Sequence, residues 1–138
     1  MNEYTYQELY LEMNVSFTTE ITKDSFSQFL SLSGDSNPLH SDDLYAEAIK
    51  YPRKVFFGMG TASLYSTLVG VYLPGKFNLL QEIDIQFKAP VFEHDHLTVY
   101  GKIVELQPLF KRVIIKSHIT NQNGVKISTS KITCGVLK

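Results

Sequence analysis

The 138-residue chain is poor in several things that would narrow its role. Cys134 is its only cysteine, which excludes an intrachain disulfide and a thiolate metal cluster. The strand-like setting STSKITCGV favours a small buried hydrophobe there over a nucleophile. No charge of one sign accumulates: 13 basic and 14 acidic residues leave a formal charge of −1, which gives no field to draw a nucleic-acid backbone. No uninterrupted apolar run is long enough to span a membrane. The opening MNEYTYQELYLEMN carries acids and no apolar core run, unlike a signal peptide, so the expectation is a cytoplasmic protein with no membrane partner. Repeats, linkers and low-complexity segments are also missing, which predicts a single domain over 1–138. An apolar content of 43% and a charged content of 20% suit an ordinary globular domain of that size.

What is present falls into two halves. VSFTTEI, residues 15–21, alternates apolar and polar residues as a strand does. TKDSFSQFLSLSG follows, with Thr22 as a helix cap, Phe26, Phe29 and Leu30 on one face, and Gly34 as a stop. DLYAEAIK reads as a short helix capped by Ser41 or Asp42 and ended by Pro52, with Asp42 and Asp43 both in capping roles. GMGTASLYSTLVGVYLPGK is apolar all round the helical wheel, so the helix it predicts is buried on every side, until Pro74-Gly75 ends it. One narrow stripe of it, Ser63, Ser66 and Gly70, is small or hydroxyl-bearing and lets a strand or ligand approach. EIDIQFKAPV, HLTVYGKIVEL, RVIIKSHIT and VKISTSKITCGV then read as four strands at hairpin spacing, the last two joined by the turn NQNG. The predicted class is α+β: an antiparallel sheet curled around one long helix. Such a sheet leaves edges, and a helix face, for a second copy to cover, so a homodimer is expected.

The stretch SLSGDSNPLHSDD looks like a loop, yet it carries Asp35 and His40 on either side of Asn37-Pro38. A bend there brings both tips into one small volume, where an acid and an imidazole can take a proton from water and return one to carbon. The alternative is a polar turn with a surface histidine. A second feature is FFGMGTA, which places Gly58 and Gly60 at the start of the long helix. Free N–H groups and the positive dipole end lie there, and a glycine lets an oxygen that gains negative charge come close. Close packing at the helix entrance is the competing reading of the two glycines.

FLSLSGDSNPLHSDDLYA resembles the hydratase signature of the MaoC-like (R)-specific enoyl-CoA hydratases, a family of the hot-dog fold. Phe29, Leu32, Ser33, Gly34, Asp35, Asn37, Pro38, Leu39, His40 and Ala46 all fit it. FGMGTASLYS, LPGK and IDIQFKAPVFEHD are similar to the family downstream, and the similarity covers about residues 15–104. The resemblance implies a hot-dog domain and reversible hydration of a trans-2-enoyl thioester to an (R)-3-hydroxyacyl thioester. It implies Asp35 and His40 as the acid/base pair, and Gly58 as donor of an N–H to the thioester enolate. Ser66 then stands near the pair, and Asn37 steadies the loop and pocket. No cofactor is implied beyond the coenzyme A or acyl-carrier-protein thioester that carries the substrate. Phe57 departs from the pattern, because relatives commonly have histidine before this glycine.

Two rivals use the same fold: an acyl-thioesterase, against which the intact Asp35/His40 motif weighs, and a non-catalytic acyl-thioester binder, for which Phe57 is the only hint. No metal is expected: EHDHL puts His94 and His96 on one strand face, but two ligands do not make a site. His118 reads as a structural or exposed strand residue. Arg53, Lys54 and Lys76 are the candidate cations for the phosphates of a thioester handle.

Overall fold

Alternation along the strands decides the architecture. In β1 (Asn14–Glu20), β3 (His96–Gln107), β4 (Arg112–Thr120) and β5 (Lys126–Val136), every second residue turns inward. Leu97, Val99, Ile103, Val113, Ile115, Ile119, Ile132 and Cys134 are thereby buried on one face of the sheet. The computed structural model, which describes residues 1–138, completes the sheet with β2 (Asn78–Phe87) in the order β1-β3-β4-β5-β2, antiparallel throughout. The helices are α1 (Lys23–Ser33), α2 (Asp43–Ala48) and α3 (Gly58–Thr67).

The long helix packs on the apolar face of the sheet through Tyr65, Leu68 and Val69, each burial contributing about 1.5–3 kcal/mol. Gly101 on β3 makes room for it, since a Cβ there would stand 2.7 Å from a methyl of Leu68. The tip of Tyr65 reaches a buried polar patch, where its hydroxyl lies 2.8 Å from that of Ser128 and Ser117 bonds Ser130 at 2.6 Å. A sheet curled around one helix is the α+β hot-dog architecture expected. No helix is long and apolar enough to cross a membrane.

Local expectations hold at both ends of α1. The Thr22 hydroxyl accepts from the N–H of Ser25, and Gly34 ends the helix at φ +69°, a left-handed conformation that glycine adopts without a Cβ penalty.

Four expectations need correction. β2 and β3 are not a hairpin: β2 crosses to pair with β5, and β3 sits between β1 and β4. The long helix is not buried on every side. It widens into a π turn at Leu68–Tyr72, and Met59, Ser63 and Ser66 form an exposed strip. α2 stops before Pro52 can act. Lys50 takes the left-handed conformation at φ +72°, and the N–H of Tyr51 closes back on the carbonyl of Ala46. Asp42 alone caps α2, while the Asp43 carboxylate accepts from the N–H of Lys54 at 2.8 Å and ties α2 to the segment before α3.

Candidate active site

The loop after Gly34 is shaped by its own side chains. Asp35 Oδ1 accepts from the N–H of Asn37 at 3.2 Å, and Asn37 Oδ1 accepts from the N–H of Leu39 at 3.0 Å. Pro38 then opens a single 3-10 turn, Pro38–His40. These steps fold the chain back and leave His40 Nε2 3.5 Å from Asp35 Oδ2. The bend therefore brings the pair together, and Asn37 holds it.

The imidazole is fixed from its other side. Its Nδ1 lies 2.8 Å from the carbonyl oxygen of Val55. A carbonyl only accepts, so Nδ1 carries a proton and Nε2 is the atom free to exchange one. Val55 is held in turn by its N–H to Leu39, at 2.9 Å, and its neighbour Phe56 by an N–H to Val91, at 2.7 Å. Phe57 lies against the ring of His40, with centroids 4.2 Å apart, and also packs on Phe26, Phe29 and Phe56. Phe57 is thus an apolar support for the imidazole, only 2% exposed.

His40 divides two cavities. One, of about 360 Å³, is largely apolar and includes His40, Gly58, Phe87, Val91 and Ile127 in its wall. The other, of about 230 Å³, is lined by Asp35, Ser36, His40, Lys23 and Lys54 among others. Asp35 faces only the polar cavity; His40 faces both.

Gly58 is the first residue of α3, and Phe57 before it offers no side-chain cap. The N–H groups of Gly58, Met59 and Gly60 make no hydrogen bond within the chain, as expected for the first turn of a helix. A Cβ on Gly58 would meet the Phe87 ring at 3.5 Å, so the position opens into the apolar cavity. Gly60 is different: a Cβ there would stand 2.7 Å from Phe56, which is the close-packing reading.

Ser66 is not brought to the pair within one chain. It lies about 12 Å along the helix axis from Gly58, on the exposed strip, and lines neither cavity. His94 sits in the turn before β3 rather than on the strand with His96, and both approach Glu20, at 3.2 and 3.9 Å. Of the candidate handle cations, Lys76 is paired with Glu3 at 3.0 Å, Arg53 stacks over Phe92, and Lys54 lies beside the Asp35/His40 pair. Cys134 is buried, and burial pushes its thiol up to about 12, which suits packing and not nucleophilic attack. Sequence reasoning missed the Val55 carbonyl, a backbone atom with no side-chain signal, and the place of Phe87 opposite Gly58.

A carboxylate and an imidazole beside a helix start with free N–H groups, on a hot-dog sheet, form an arrangement that can move protons next to a bound carbonyl. The family model "MaoC like domain" matches residues 8–123, and the chain belongs to this family of hydratases and dehydratases, which are hydro-lyases. It is 34% identical over 103 residues to the (R)-specific enoyl-CoA hydratase of Aeromonas caviae, covering 75% of this chain and 77% of that one. It is 31% identical over 109 residues to the 3-hydroxybutyryl-CoA dehydratase of Methylorubrum extorquens, covering 75% and 69%. The unliganded R-hydratase of Pseudomonas aeruginosa superposes with a TM-score of 0.90 at 26% identity, covering 96% of this chain and 84% of that one.

Proposed function

We propose that the chain adds water reversibly to trans-2-enoyl thioesters, giving (R)-3-hydroxyacyl thioesters, with Asp35 and His40 as the acid/base pair. The observation that carries this reading is the position of His40: Nδ1 tied to Val55, Nε2 facing Asp35, and the ring forming a wall of the same cavity as Gly58. The acyl thioester enters from the apolar cavity, its carbonyl oxygen at the N–H of Gly58, where negative charge that builds on oxygen is stabilised, and its C2=C3 bond reaches past His40 to the polar side that Asp35 faces.

Water reaches the pair from the polar side, where Asp35 is half exposed. In the direction of hydration the pair starts as carboxylate and imidazolium. Asp35 takes one proton from water as the water oxygen bonds C3, and the electron pair of the C2=C3 bond moves into the enolate. His40 Nε2 then delivers its proton to C2. The proton left on Asp35 passes to His40, which restores both groups. Dehydration is the same path reversed. General acid–base steps of this kind contribute about a hundredfold to ten-thousandfold each.

No step needs a cofactor. The thioester handle is coenzyme A or an acyl-carrier protein, the site operates in the cytoplasm, and a second copy in a homodimer would cover the strip of Met59, Ser63 and Ser66. Ser66 then stands at that interface.

The test follows the absorbance of trans-2-enoyl-CoAs of several chain lengths while free thiol is measured. Loss of the enoyl absorbance without thiol release supports the hydratase. Thiol release makes the chain a thioesterase instead, and no turnover of coenzyme A or carrier-protein substrates makes it a binder. Cys134, being buried, adds no thiol background to the native assay.

A further inference from the structure

A third depression, of about 420 Å³, lies on the outer face of the sheet, away from α3. Antiparallel register sets one side chain from each strand into a single row across the sheet, Asn14, Lys102, Lys116, Lys131 and Asp84, of which the last four line the depression. Three lysines thus oppose one another on adjacent strands, where like charges repel and reduce stability. Lys102 is relieved by Glu12 at 2.8 Å, and Asp84 closes the row beside Lys131. Lys116, Lys131 and the nearby Lys126 have no carboxylate within ion-pair distance. A local rule broken in this way marks a surface shaped for something other than stability.

The neighbouring row carries Tyr100, His118, Thr129 and Gln86. The rings of Tyr100 and His118 lie 5.1 Å apart at 32° and form an aromatic floor among the ammonium groups. Partial burial, with Lys126 adding repulsion, holds His118 below its ordinary value and so favours the uncharged ring. An aromatic floor takes a base by stacking, and lysines around it take phosphates.

The depression adjoins the apolar cavity around the end of the β2 edge strand. Gln86 belongs to the outer depression, while Phe87 and Lys88 line the apolar cavity, and the Lys88 ammonium donates to Gln86 Oε1 at 2.8 Å. Lys126 and Ile127 on β5 divide in the same manner. From Ile127 to Lys131 is about 13 Å along the strand, a separation suited to the two ends of one long ligand.

We propose that this outer depression binds the phosphorylated adenine nucleotide end of a coenzyme A thioester whose acyl end occupies the cavity of His40 and Gly58. The proposal rests on the hydratase reading for the identity of the acyl end. The nucleotide end is tested without turnover.

The probe is adenosine 3′,5′-bisphosphate, which carries the base and phosphates and no thioester, titrated calorimetrically into the full chain and into a Lys116→Gln/Lys131→Gln variant. Saturable binding is expected, weakened about tenfold or more in the variant, with the folded state retained because the substitutions relieve repulsion. In steady state, the variant should raise KM for trans-2-butenoyl-CoA about tenfold more than KM for the same acyl group on pantetheine. Absence of bisphosphate binding, or equal binding by the variant, overturns the proposal. Lysine-dependent binding with no difference between the two esters overturns the assignment to coenzyme A and makes the depression a site for a free nucleotide. Failure of hydration with intact bisphosphate binding would count against the hydratase reading alone.

Discussion

The imidazole of His40 rests on the phenyl ring of Phe57, their centroids 4.2 Å apart and their planes inclined by 31°. One face of the imidazole is thereby supported by an apolar ring, while its two nitrogens point to the Val55 carbonyl and the Asp35 carboxylate. All three constraints aim Nε2, and removal of any one loosens the aim.

Phe57 is therefore a support that histidine would not improve. Placing an imidazole in this site, among Phe26, Phe29 and Phe56, buries polar nitrogens at a cost of about 1–3 kcal/mol. Phe57→His is expected to unfold at lower urea concentration and to turn over no faster than the parent. A stable variant with tenfold higher kcat would show that the phenyl ring is a handicap.

The two glycines at the start of α3 separate activity from stability. Gly58→Ala adds a methyl at ordinary contact distance from Phe87, inside the apolar cavity. The fold should tolerate it, while kcat/KM falls about tenfold or more, or 1.4 kcal/mol of transition-state stabilisation. Gly60→Ala drives a methyl to 2.7 Å from the buried ring of Phe56. Overpacking of about 1–3 kcal/mol outweighs about 1 kcal/mol of gained helix propensity, so thermal unfolding should shift downward. Chemical denaturation and steady-state kinetics of both variants give the comparison.

Much of this site was legible before the fold was known, for a physical reason. Asp35, Asn37 and His40 lie within one short bend whose turn chemistry is local, as is the capping by Thr22 and the stop at Gly34. Pairing is not local: the alternation of Ile83, Ile85 and Phe87 marks a strand but not its neighbour, and β2 proves to pair with β5 across the sheet. The lysine row was invisible for the same reason, since Lys102, Lys116 and Lys131 come together only through register. Helical spacing places Ser66 on a small-residue stripe and the family resemblance places it near the pair, yet within one chain it lies away from the pair.

Cys134 and Tyr65 bear on alkaline stability. Burial pushes the Cys134 thiol up to about 12 from an ordinary value of 9.0, and burial also raises the Tyr65 hydroxyl above its ordinary 10.0. Both ionise more readily in the unfolded chain, so their neutral forms favour folding fully below pH 9, and that contribution declines as pH rises above it. The midpoint of thermal unfolding should fall from pH 9 upward, with a shallower fall in Cys134→Ala. At pH 8 the native thiol should resist a disulfide reagent and react once the chain is unfolded in guanidinium.

Tyr65→Phe removes the hydroxyl that meets Ser128 in a fully buried position. Leaving the serine without that partner should cost about 1–3 kcal/mol, read as a lower urea midpoint at constant m.

Asp35 and His40 are expected to act as one unit. The measurement is kcat for enoyl-CoA hydration in Asp35→Asn, His40→Gln and the double variant, with folding verified by circular dichroism. Each single substitution should lower kcat by about a hundredfold or more, and the double variant should fall little further, because groups that share one proton path are not additive. Losses that multiply in the double variant, or a single variant that retains parental turnover, would contradict it.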